Sequence, residues 1–377
     1  MNFDQIVDRR ATAAIKWDKY AGRDIIPMWV ADMDFRCAPP IVEALAKRVE
    51  HGVFGYTDPP AELNQVVVAY LQATYGWEIE AEWLVWLPGL VSAINLVCRA
   101  IGEDGDDVVT AVPVYHPFLT GPVHQRRSVT RVPMRLLTGR WAWDVEALER
   151  FLTPRSKLLL VCNPHNPVGR VFTRPELSEL ARIALEHDLI VASDEIHCGL
   201  VLDRDKRHLP FATLSPEIAQ RTITLMAPSK TFNLPGLSCA FAVVPNAKLR
   251  ARMIEVAAGI VPRVNAMGYI ATLAAYRDGA QWHADLLDYL RANRDLVLER
   301  VGRLRALSIT PIEATYLAWI GVDASVPEPT KFFEQAGVGL YDGRVFGTDG
   351  FVRLNFGCPR SLLAQALDRI TQALEGA

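Results

Sequence analysis

Cysteine is scarce in this sequence, and its spacing suits neither a disulfide framework nor a metal site. The 377 residues include six cysteines, at positions 37, 98, 162, 198, 239 and 358, with no C-x-x-C pair. A disulfide framework needs denser cysteine in a shorter secreted chain. Cys162 lies near His165, and Cys198 follows His197, but no third and fourth ligands come at zinc-like intervals. We therefore expect free thiols and no metal.

Long apolar runs and an excess of charge are also absent. No uninterrupted apolar run approaches the roughly 18 residues of a membrane span, and the N-terminal MNFDQIVDRR lacks the apolar core of a signal peptide. The formal net charge is −3, whereas nucleic-acid binders carry a basic domain or stripe. There is also no Walker A loop or G-x-S-x-G elbow. We expect a cytoplasmic protein that acts on small molecules and binds neither membranes nor nucleic acid.

The middle of the chain alternates short apolar runs with amphipathic segments. Five of the runs are DDVVTAVP, KLLLVCNP, LIVASDEI, TITLMAP and CAFAVVP. Runs with so few alternating polar residues are typical of a largely parallel sheet that is covered on both faces. Between two of them, TRPELSELARIALEH predicts a helix with Thr173 as its N-cap. The pattern predicts an α/β fold.

The chain is too long for one simple core, so we predict two domains. The strand-rich part, residues 46–262, forms the large domain. Residues 1–45 and 263–377 form a smaller α+β domain, in which helical segments are followed by the short strands TYLAWIG and FVRLNFG and a closing helix.

Three polar side chains come at the ends of predicted strands. Asp194 closes LIVASDEI, Asn166 lies in NPHNPVG after KLLLVCNP, and Lys230 follows TITLMAP. Ligands bind at this carboxyl edge of open α/β sheets. A lysine that is desolvated there becomes an amine nucleophile, and a buried carboxylate needs a cationic partner. Taken singly, each pattern also suits a solvated lysine, a structural salt bridge or an ordinary turn.

Three further signals are weaker on their own. LPGLVSAINLVCRAI predicts a glycine turn that opens a helix, whose N-terminus favours an anion such as phosphate. Tyr115 lies between two prolines in VPVYHPF, where its ring can stack on a flat cofactor or pack in a core. Arg353 lies inside the apolar FVRLNFG and therefore needs a carboxylate, from a substrate or from a structural Asp or Glu.

The order of these motifs resembles fold-type I pyridoxal-phosphate (PLP) enzymes, the aminotransferase class I/II superfamily, over nearly the whole chain. MWVADMDF, GYTDPP, NPHNPVGRVF, SDEIHC, APSKTFN and RLNFGCPRSLL are similar to the cystathionine β-lyase subfamily of MalY/PatB-type C–S lyases. The resemblance implies a fold with a large, mainly parallel-sheet domain and a smaller domain from both termini. It also implies PLP as cofactor and a homodimer with shared active sites.

The resemblance implies a role for each matching residue around the cofactor. Lys230 is the Schiff-base lysine, Asp194 pairs with the pyridine nitrogen, Asn166 hydrogen-bonds the phenolic oxygen, and Tyr115 stacks on the ring. His197 stands where many members have a tyrosine, and it can also donate to the phenolic oxygen.

The same resemblance implies the phosphate and substrate contacts. Backbone N–H groups of Leu90 and Val91, with Ser229, hold the phosphate, and Tyr56 reaches it from the neighbouring subunit as part of the catalytic set. For the substrate, Arg353 binds the α-carboxylate together with Asn166, and the stretch from Trp29 to Asp32 lines the substrate side.

Some positions depart from the family pattern. Ser238 stands where many members have a phosphate-binding arginine, and Ala227 where a serine is common. Phosphate anchoring therefore depends on the helix N-terminus, Ser229 and the neighbouring tyrosine. Gly199 and the stretch LYDGRVFG are atypical within the subfamily, which leaves the native substrate open.

The resemblance implies β-elimination from L-cystathionine or a related cysteine S-conjugate to give a thiol, pyruvate and ammonia. An aminotransferase of a small amino acid shares the early steps and is the first alternative. A non-catalytic regulator that retains the PLP fold is the second, although the chain retains Lys230 and has no basic extension.

Overall fold

The computed structural model describes residues 1–376. Its α-helices are α1 Ile15–Asp18, α2 Pro39–His51, α3 Ala61–Tyr75, α4 Leu90–Ala100, α5 Pro117–His124, α6 Val145–Phe151, α7 Arg174–Glu186, α8 Pro216–Ala219, α9 Ala247–Ala257, α10 Ala266–Asp278, α11 Ala280–Gly302, α12 Pro329–Gln335 and α13 Arg360–Glu375. Short 3₁₀ helices span Ala81–Trp83, Phe211–Thr213, Pro235–Leu237 and Gly343–Phe346.

The strands are β1 Ile26–Pro27, β2 Leu84–Leu87, β3 Asp107–Val112, β4 Ser128–Pro133, β5 Arg135–Leu137, β6 Arg140–Ala142, β7 Ser156–Cys162, β8 Ile190–Asp194, β9 Thr222–Met226, β10 Ala240–Val243, β11 Leu307–Ile309, β12 Leu317–Val322, β13 Val338–Gly339, β14 Tyr341–Asp342 and β15 Phe351–Asn355.

A seven-stranded sheet forms the centre of the molecule, in the order β2-β10-β9-β8-β7-β3-β4. Strands β9, β8, β7, β3 and β4 are parallel, and only β10 runs antiparallel to its neighbours. All five apolar runs of the sequence form strands of this sheet. The predicted α/β fold with a largely parallel sheet is confirmed.

Successive residues of these strands enter different cores because side chains alternate across a sheet. Leu158 and Leu160 of β7 pack in one buried cluster, with α4 and α9, whereas Leu159 and Val161 pack in another, with α6 and α7. Both faces of the sheet are therefore apolar, which explains why the runs show so little polar alternation.

Helix α7 illustrates how local sequence sets an element boundary. The Thr173 hydroxyl accepts a hydrogen bond from the Glu176 backbone N–H at 3.4 Å, and Glu176 accepts one from the Thr173 N–H at 2.7 Å. This reciprocal capping box satisfies N–H groups that the first helical turn leaves free. The predicted N-cap is confirmed.

A second, four-stranded antiparallel sheet has the order β11-β12-β15-β14 and brings together residues 307–355. Strand β1 of the N-terminal segment pairs in parallel with β13. Both ends of the chain therefore pack around this sheet, with α11 and α13 in the same apolar cluster. The domain boundaries at residues 45/46 and 262/263 stay a prediction. No helix within residues 1–376 is long and apolar enough to cross a membrane.

Glu313 connects the segment that leads into β12 with the loops of the central sheet. Its carboxylate is completely buried, and it accepts hydrogen bonds from Arg170 Nε at 3.0 Å and the Val171 N–H at 2.9 Å. Lys206 Nζ lies 2.6 Å from its other oxygen. A buried carboxylate with this many partners holds the two regions in one arrangement.

We predict that Glu313→Gln lowers the free energy of unfolding by about 2–4 kcal/mol, because it removes the buried counter-charge of Arg170 and Lys206 and leaves them only the partly exposed Glu176 and Asp203. Urea unfolding measures this loss. The matched control is Glu299→Gln, which breaks an exposed pair with Arg303 and should change stability by less than about 0.5 kcal/mol. Equal effects of the two substitutions would contradict the role of Glu313.

Candidate active site

A cavity of about 370 Å³ lies at the carboxyl edge of the central sheet. Because β3, β7, β8 and β9 are parallel, the segments that follow them meet at this edge. The cavity brings together nine of the twelve predicted site residues, namely Leu90, Val91, Tyr115, Asn166, Asp194, His197, Ser229, Lys230 and Arg353.

Lys230 places its amine inside this cavity, four residues after the end of β9. Its Nζ donates a hydrogen bond to the Ala31 carbonyl at 2.6 Å. Burial, with a smaller contribution from the charge of Arg353, lowers the pKa of Lys230 to about 8. An amine with this pKa is partly in its free-base form near neutral pH, as a nucleophile or general base requires.

Asp194, the last residue of β8, is buried at the base of the same cavity. Burial raises the pKa of its carboxyl to about 7, and the neighbouring Glu195 charge adds to the effect. The Ile196 backbone N–H donates to Oδ1 at 3.1 Å, which opposes the rise. Within residues 1–376 no cationic side chain lies within 4 Å of this carboxylate, so the site suits a cationic ligand group.

Arg353 of β15 reaches the cavity from the antiparallel sheet. It is 1% exposed; its Nη1 donates to Asn166 Oδ1 at 3.0 Å and its Nη2 to the Trp29 carbonyl at 2.8 Å. Its Nε is buried and has no partner in the described chain, where no Asp or Glu forms an ion pair with this guanidinium. Since no structural carboxylate neutralises it, the alternative of a ligand carboxylate is favoured.

Burial lowers the pKa of Arg353 to about 10, which leaves it charged at neutral pH. The guanidinium lies 5.0 Å from the Tyr341 ring centre and 4.7 Å from that of Phe346, so two aromatic faces support its position.

Two side chains with rings complete the middle of the cavity. Tyr115 follows β3, and its backbone N–H donates to the Asn166 carbonyl at 3.1 Å. His197 is buried, and its Nδ1 has no hydrogen-bond partner within residues 1–376. Burial, followed by the charges of Lys230 and Arg353, holds the pKa of His197 well below its usual value, so the ring is neutral.

Small polar groups also line the cavity. Helix α4 begins at Leu90 after Gly89, so the free N–H groups of its first turn lie at the cavity wall. Ser92, Ser229 and Ser238 line the same cavity. Ser238 therefore takes a place in the cavity, although the sequence marked it only as a departure from the family pattern.

Three predicted residues do not bring their side chains to the cavity wall. Trp29 contributes its carbonyl to Arg353, while its ring packs 5.5 Å from that of Tyr341. Asp32 accepts from Arg9 Nη2 at 2.7 Å, and its charge acts on Lys230 from a distance. Tyr56 is 104% exposed and lies away from this cavity. The cavity instead uses Val30 and Ala31 of the predicted stretch.

The sequence reasoning missed His116 and Tyr341, which line the cavity with Tyr115 and Arg353. A signal for His116 was available, since it directly follows Tyr115. Tyr341 comes from LYDGRVFG, the stretch that was noted as atypical. Its side chain reaches the cavity because β14 pairs with β15 and sets Tyr341 opposite Arg353.

Gly199 has a steric explanation. A Cβ at this position would lie 2.6 Å from Thr231 Oγ1 and 2.7 Å from Thr231 Cγ2. Thr231 is adjacent to Lys230, so any larger residue at position 199 would push against the segment that positions the lysine.

Comparison with known proteins agrees with this geometry. The sequence pattern of the family "Aminotransferase class I and II" matches residues 23–370. The chain belongs to this family. It is 36% identical to cystathionine β-lyase PatB of Bacillus subtilis over 387 residues, covering 99% of this chain and 100% of PatB.

Two solved structures are similar to this chain over almost their whole length. The crystal structure of OvoB has a TM-score of 0.98 and 48% identity, with 100% of both chains covered. The PLP-bound C–S lyase of Staphylococcus hominis has a TM-score of 0.93 and 30% identity, covering 99% of this chain and 98% of the lyase. This member of the aminotransferase class I and II family is a PLP-dependent enzyme, and the predicted cofactor and fold type are confirmed.

The residues present fit PLP. The cofactor carries a pyridine nitrogen, a phenolic oxygen, an aldehyde and a phosphate, and it needs a partner for each. Asp194 is a buried carboxylate without a cation, His197 has an unpartnered ring nitrogen, and Lys230 offers an amine. The first turn of α4 offers N–H groups to an anion. Each polar group of the cofactor therefore finds a matching partner in the cavity.

We predict that Asp194→Asn stabilises the cofactor-free protein at pH 8 by up to about 4 kcal/mol, because a carboxyl with a folded-state pKa near 7 opposes folding once it ionises. Protonated Asp194 contributes no such penalty below about pH 4, and the penalty grows as the pH rises from about 4 to 7. The gain should therefore be absent at pH 4 and complete at pH 8.

Unfolding free energies of the cofactor-free proteins across this pH range measure the effect. The exposed Asp205→Asn serves as the control and should show no such pH dependence. A stability difference for Asp194→Asn that stays constant with pH would refute the assignment of the raised pKa.

Proposed function

We propose that this enzyme is a carbon–sulfur β-lyase that cleaves L-cystathionine or a related cysteine S-conjugate to a thiol, pyruvate and ammonia. The observation that carries the proposal is that the side chains of Lys230 and Arg353 line the same cavity. Arg353 is a buried cation without a structural carboxylate, which is what an amino-acid substrate requires. The match to PatB and the Staphylococcus hominis C–S lyase over nearly their whole length favours elimination as the reaction.

The charges that line the cavity suit the α-carboxylate of one amino-acid substrate. Among the residues of the described chain that line it, Lys230 and Arg353 are the only lysine and arginine. A dicarboxylate acceptor needs a second cation besides the one that binds the α-carboxylate. One arginine is enough for the α-carboxylate of a cysteine conjugate, whereas the second carboxylate of L-cystathionine, like that of a dicarboxylic keto acid, would need a cation from outside this wall.

Lys230 is proposed as the base that removes the Cα proton of the substrate. When bound, PLP supplies an electron sink that stabilises negative charge at that carbon. The pKa of about 8 keeps part of the Lys230 amine unprotonated near neutral pH. The Ala31 carbonyl, which accepts from Nζ at 2.6 Å, holds the amine when it is not engaged with substrate or cofactor.

Asp194, His197 and Asn166 are proposed to control the electronics of the site. An ionised Asp194 keeps the pyridine nitrogen protonated, and that cation in turn lowers the pKa of the carboxyl from its raised value. The unpartnered ring of His197 suits a hydrogen bond to the phenolic oxygen. Asn166 orients Arg353 through its Oδ1 and so links the cofactor side with the substrate side.

The phosphate is proposed to bind the backbone N–H groups of Leu90 and Val91, with Ser229. Ser92 and Ser238 are added to this set because they are small polar side chains that line the same cavity as Ser229. The ring of Tyr115 is proposed to stack on the cofactor. Together these contacts orient the reacting bond at Cα for proton removal by Lys230.

We also propose that the enzyme is a homodimer whose partner supplies Tyr56 to each site. Tyr56 is 104% exposed in the single chain, and Phe54 and Val53 beside it are 59% and 61% exposed. Exposed aromatic and apolar residues in one segment favour an interface. The cytoplasm is the proposed compartment, because all six cysteines are free thiols.

The first test of the lyase is pyruvate release from L-cystathionine by PLP-loaded enzyme without any keto acid. We expect pyruvate and free thiol in equal amounts, and no product from Lys230→Ala, which also lacks the visible absorbance of lysine-bound cofactor. Amino transfer to an added keto acid, with no pyruvate in its absence, would replace the lyase by an aminotransferase. Full activity of Lys230→Ala would remove the lysine from the mechanism.

The test of the shared site is subunit complementation. Lys230→Ala and Tyr56→Ala should each be nearly inactive, whereas refolding them together should restore about a quarter of wild-type activity. Half of the dimers are then hybrids, and each hybrid has one site with neither substitution. No recovery in the mixture, although hybrids are present, would place Tyr56 and Lys230 of one chain in the same site.

A further inference from the structure

Two proton-bearing side chains of the cavity have no part in the functions described above. The roles of Tyr115, Asp194, His197, Lys230 and Arg353 account for most of the titratable groups of its wall. Cys162 and Cys239 also line it, but burial raises the pKa of both thiols far enough to keep them protonated. His116 and Tyr341 remain.

His116 caps the start of helix α5, and its ring enters the cavity beside Tyr115. The ring centres of His116 and Tyr115 are 4.8 Å apart, and Tyr341 lies 6.5 Å away on the other side. The side chain is half-buried, and its Nδ1 is buried without a hydrogen-bond partner. A buried polar atom without a partner calls for an explanation, and a ligand group is one.

The histidines elsewhere in the interior differ from those of the cavity. His165 Nε2 lies 2.8 Å from the Pro113 carbonyl, His208 Nε2 lies 2.6 Å from Glu195, and His283 Nε2 lies 2.5 Å from the Gly199 carbonyl. Within residues 1–376, neither ring nitrogen of His197 or His116 is hydrogen-bonded. The rings without partners are therefore those that line the cavity, and the cofactor accounts for His197 alone.

Tyr341 is already held in place by its surroundings. Its ring lies 5.0 Å from the Arg353 guanidinium, 5.5 Å from the Trp29 ring and 5.2 Å from the Phe346 ring. These contacts assign it to the carboxylate-binding side. His116 has no such set of contacts, and its ring without a hydrogen-bond partner lines the same cavity.

The charge state of His116 defines what it can do. Burial, followed by the charge of Arg353, lowers the pKa of His116 below its usual value. The ring is therefore neutral at neutral pH and carries one N–H donor and one acceptor. A neutral donor stabilises a developing anion without itself giving up a proton.

We propose that His116 donates a hydrogen bond from its ring to the sulfur of the leaving group as the Cβ–S bond breaks. The bonding electron pair stays on sulfur, the ring keeps its proton, and the departing thiolate takes a proton from water. This role rests on the proposed β-lyase activity and makes His116 a catalytic residue that also selects among leaving groups.

The experiment compares two cysteine conjugates whose leaving thiolates differ in basicity. S-ethyl-L-cysteine releases a strongly basic thiolate, whereas S-(4-nitrophenyl)-L-cysteine releases one whose charge is delocalised and needs less stabilisation. We expect His116→Phe to lower kcat/KM for the ethyl conjugate by about 10- to 100-fold and for the nitrophenyl conjugate by less than about threefold. His116→Gln, which restores an N–H donor, should recover part of the loss on the ethyl conjugate.

A second readout separates His116 from the earlier chemistry. Exchange of the Cα proton of L-alanine in deuterated water uses Lys230 but has no leaving group, so His116→Phe should retain exchange at a rate near that of the wild type. Tyr341→Phe keeps the ring over Arg353 and serves as the matched variant, which should change both conjugates by the same factor.

Equal losses on the two conjugates, or loss of exchange together with elimination, would overturn the proposal. So would an ethyl-conjugate loss in His116→Phe that His116→Gln leaves uncorrected. Failure of the β-lyase itself would look different, because the wild type would then exchange the Cα proton of L-alanine yet release pyruvate from neither conjugate.

Discussion

Burial of unpaired charge is the constraint on which this structure depends. Lys230, Asp194 and Arg353 lie in one cavity, and within residues 1–376 none of them has an ion-pair partner. Removing such groups from water costs free energy, which is visible in the raised pKa of Asp194 and the lowered pKa of Lys230. The complementary charges of a cofactor and an amino acid offset that cost, so the same feature that destabilises the free protein selects its ligands.

The charged residues of the cavity are positioned by two different sheets. The parallel strands β8 and β9 lead to Asp194 and Lys230, whereas β15 of the antiparallel sheet carries Arg353. Asn166 joins the two sets through its hydrogen bond to Arg353, and Glu313 binds the same pair of regions from outside the cavity. The position of Arg353 relative to Lys230 and Asp194 is thus fixed by contacts between elements that are far apart in the chain.

Two kinds of residue line the cavity: those proposed to take part in the chemistry that the family shares, and those proposed to determine substrate specificity. Lys230 and Asp194, which we propose to act on the Cα proton and the cofactor, follow or end central strands of the parallel sheet. His116 and Tyr341, which we propose to act on the substrate side, come from a loop after β3 and from the short strand β14. Loops and short strands tolerate substitution better than central strands do, so differences in substrate choice concentrate there.

Much of the fold and of the cavity follows from local pattern. Continuous apolar runs predict buried parallel strands because both faces of such a sheet are covered, and the polar residue at the end of each run then lies at the ligand-binding edge. This reasoning, with the motif resemblance, predicted nine residues that the structure brings to the cavity. Trp29 and Asp32 show the limit of this reasoning, because neither side chain lines the cavity. Trp29 contributes its backbone carbonyl to Arg353, and Asp32 contributes only a charge that acts on Lys230 from a distance.

The sequence by itself determined the α/β class, the strands of the central sheet and the polar residues at their carboxyl ends, because each depends on neighbours within a few positions. Only the tertiary structure decided that Arg353 lacks a structural carboxylate, that Ser238 lines the cavity, and that the rings of His116 and Tyr341 lie 6.5 Å apart in its wall. These properties depend on residues that are far apart in the chain, such as His116 and Tyr341, which are separated by 225 positions (341 − 116). The absence of an Asp or Glu partner for Arg353 is likewise not encoded in any local pattern.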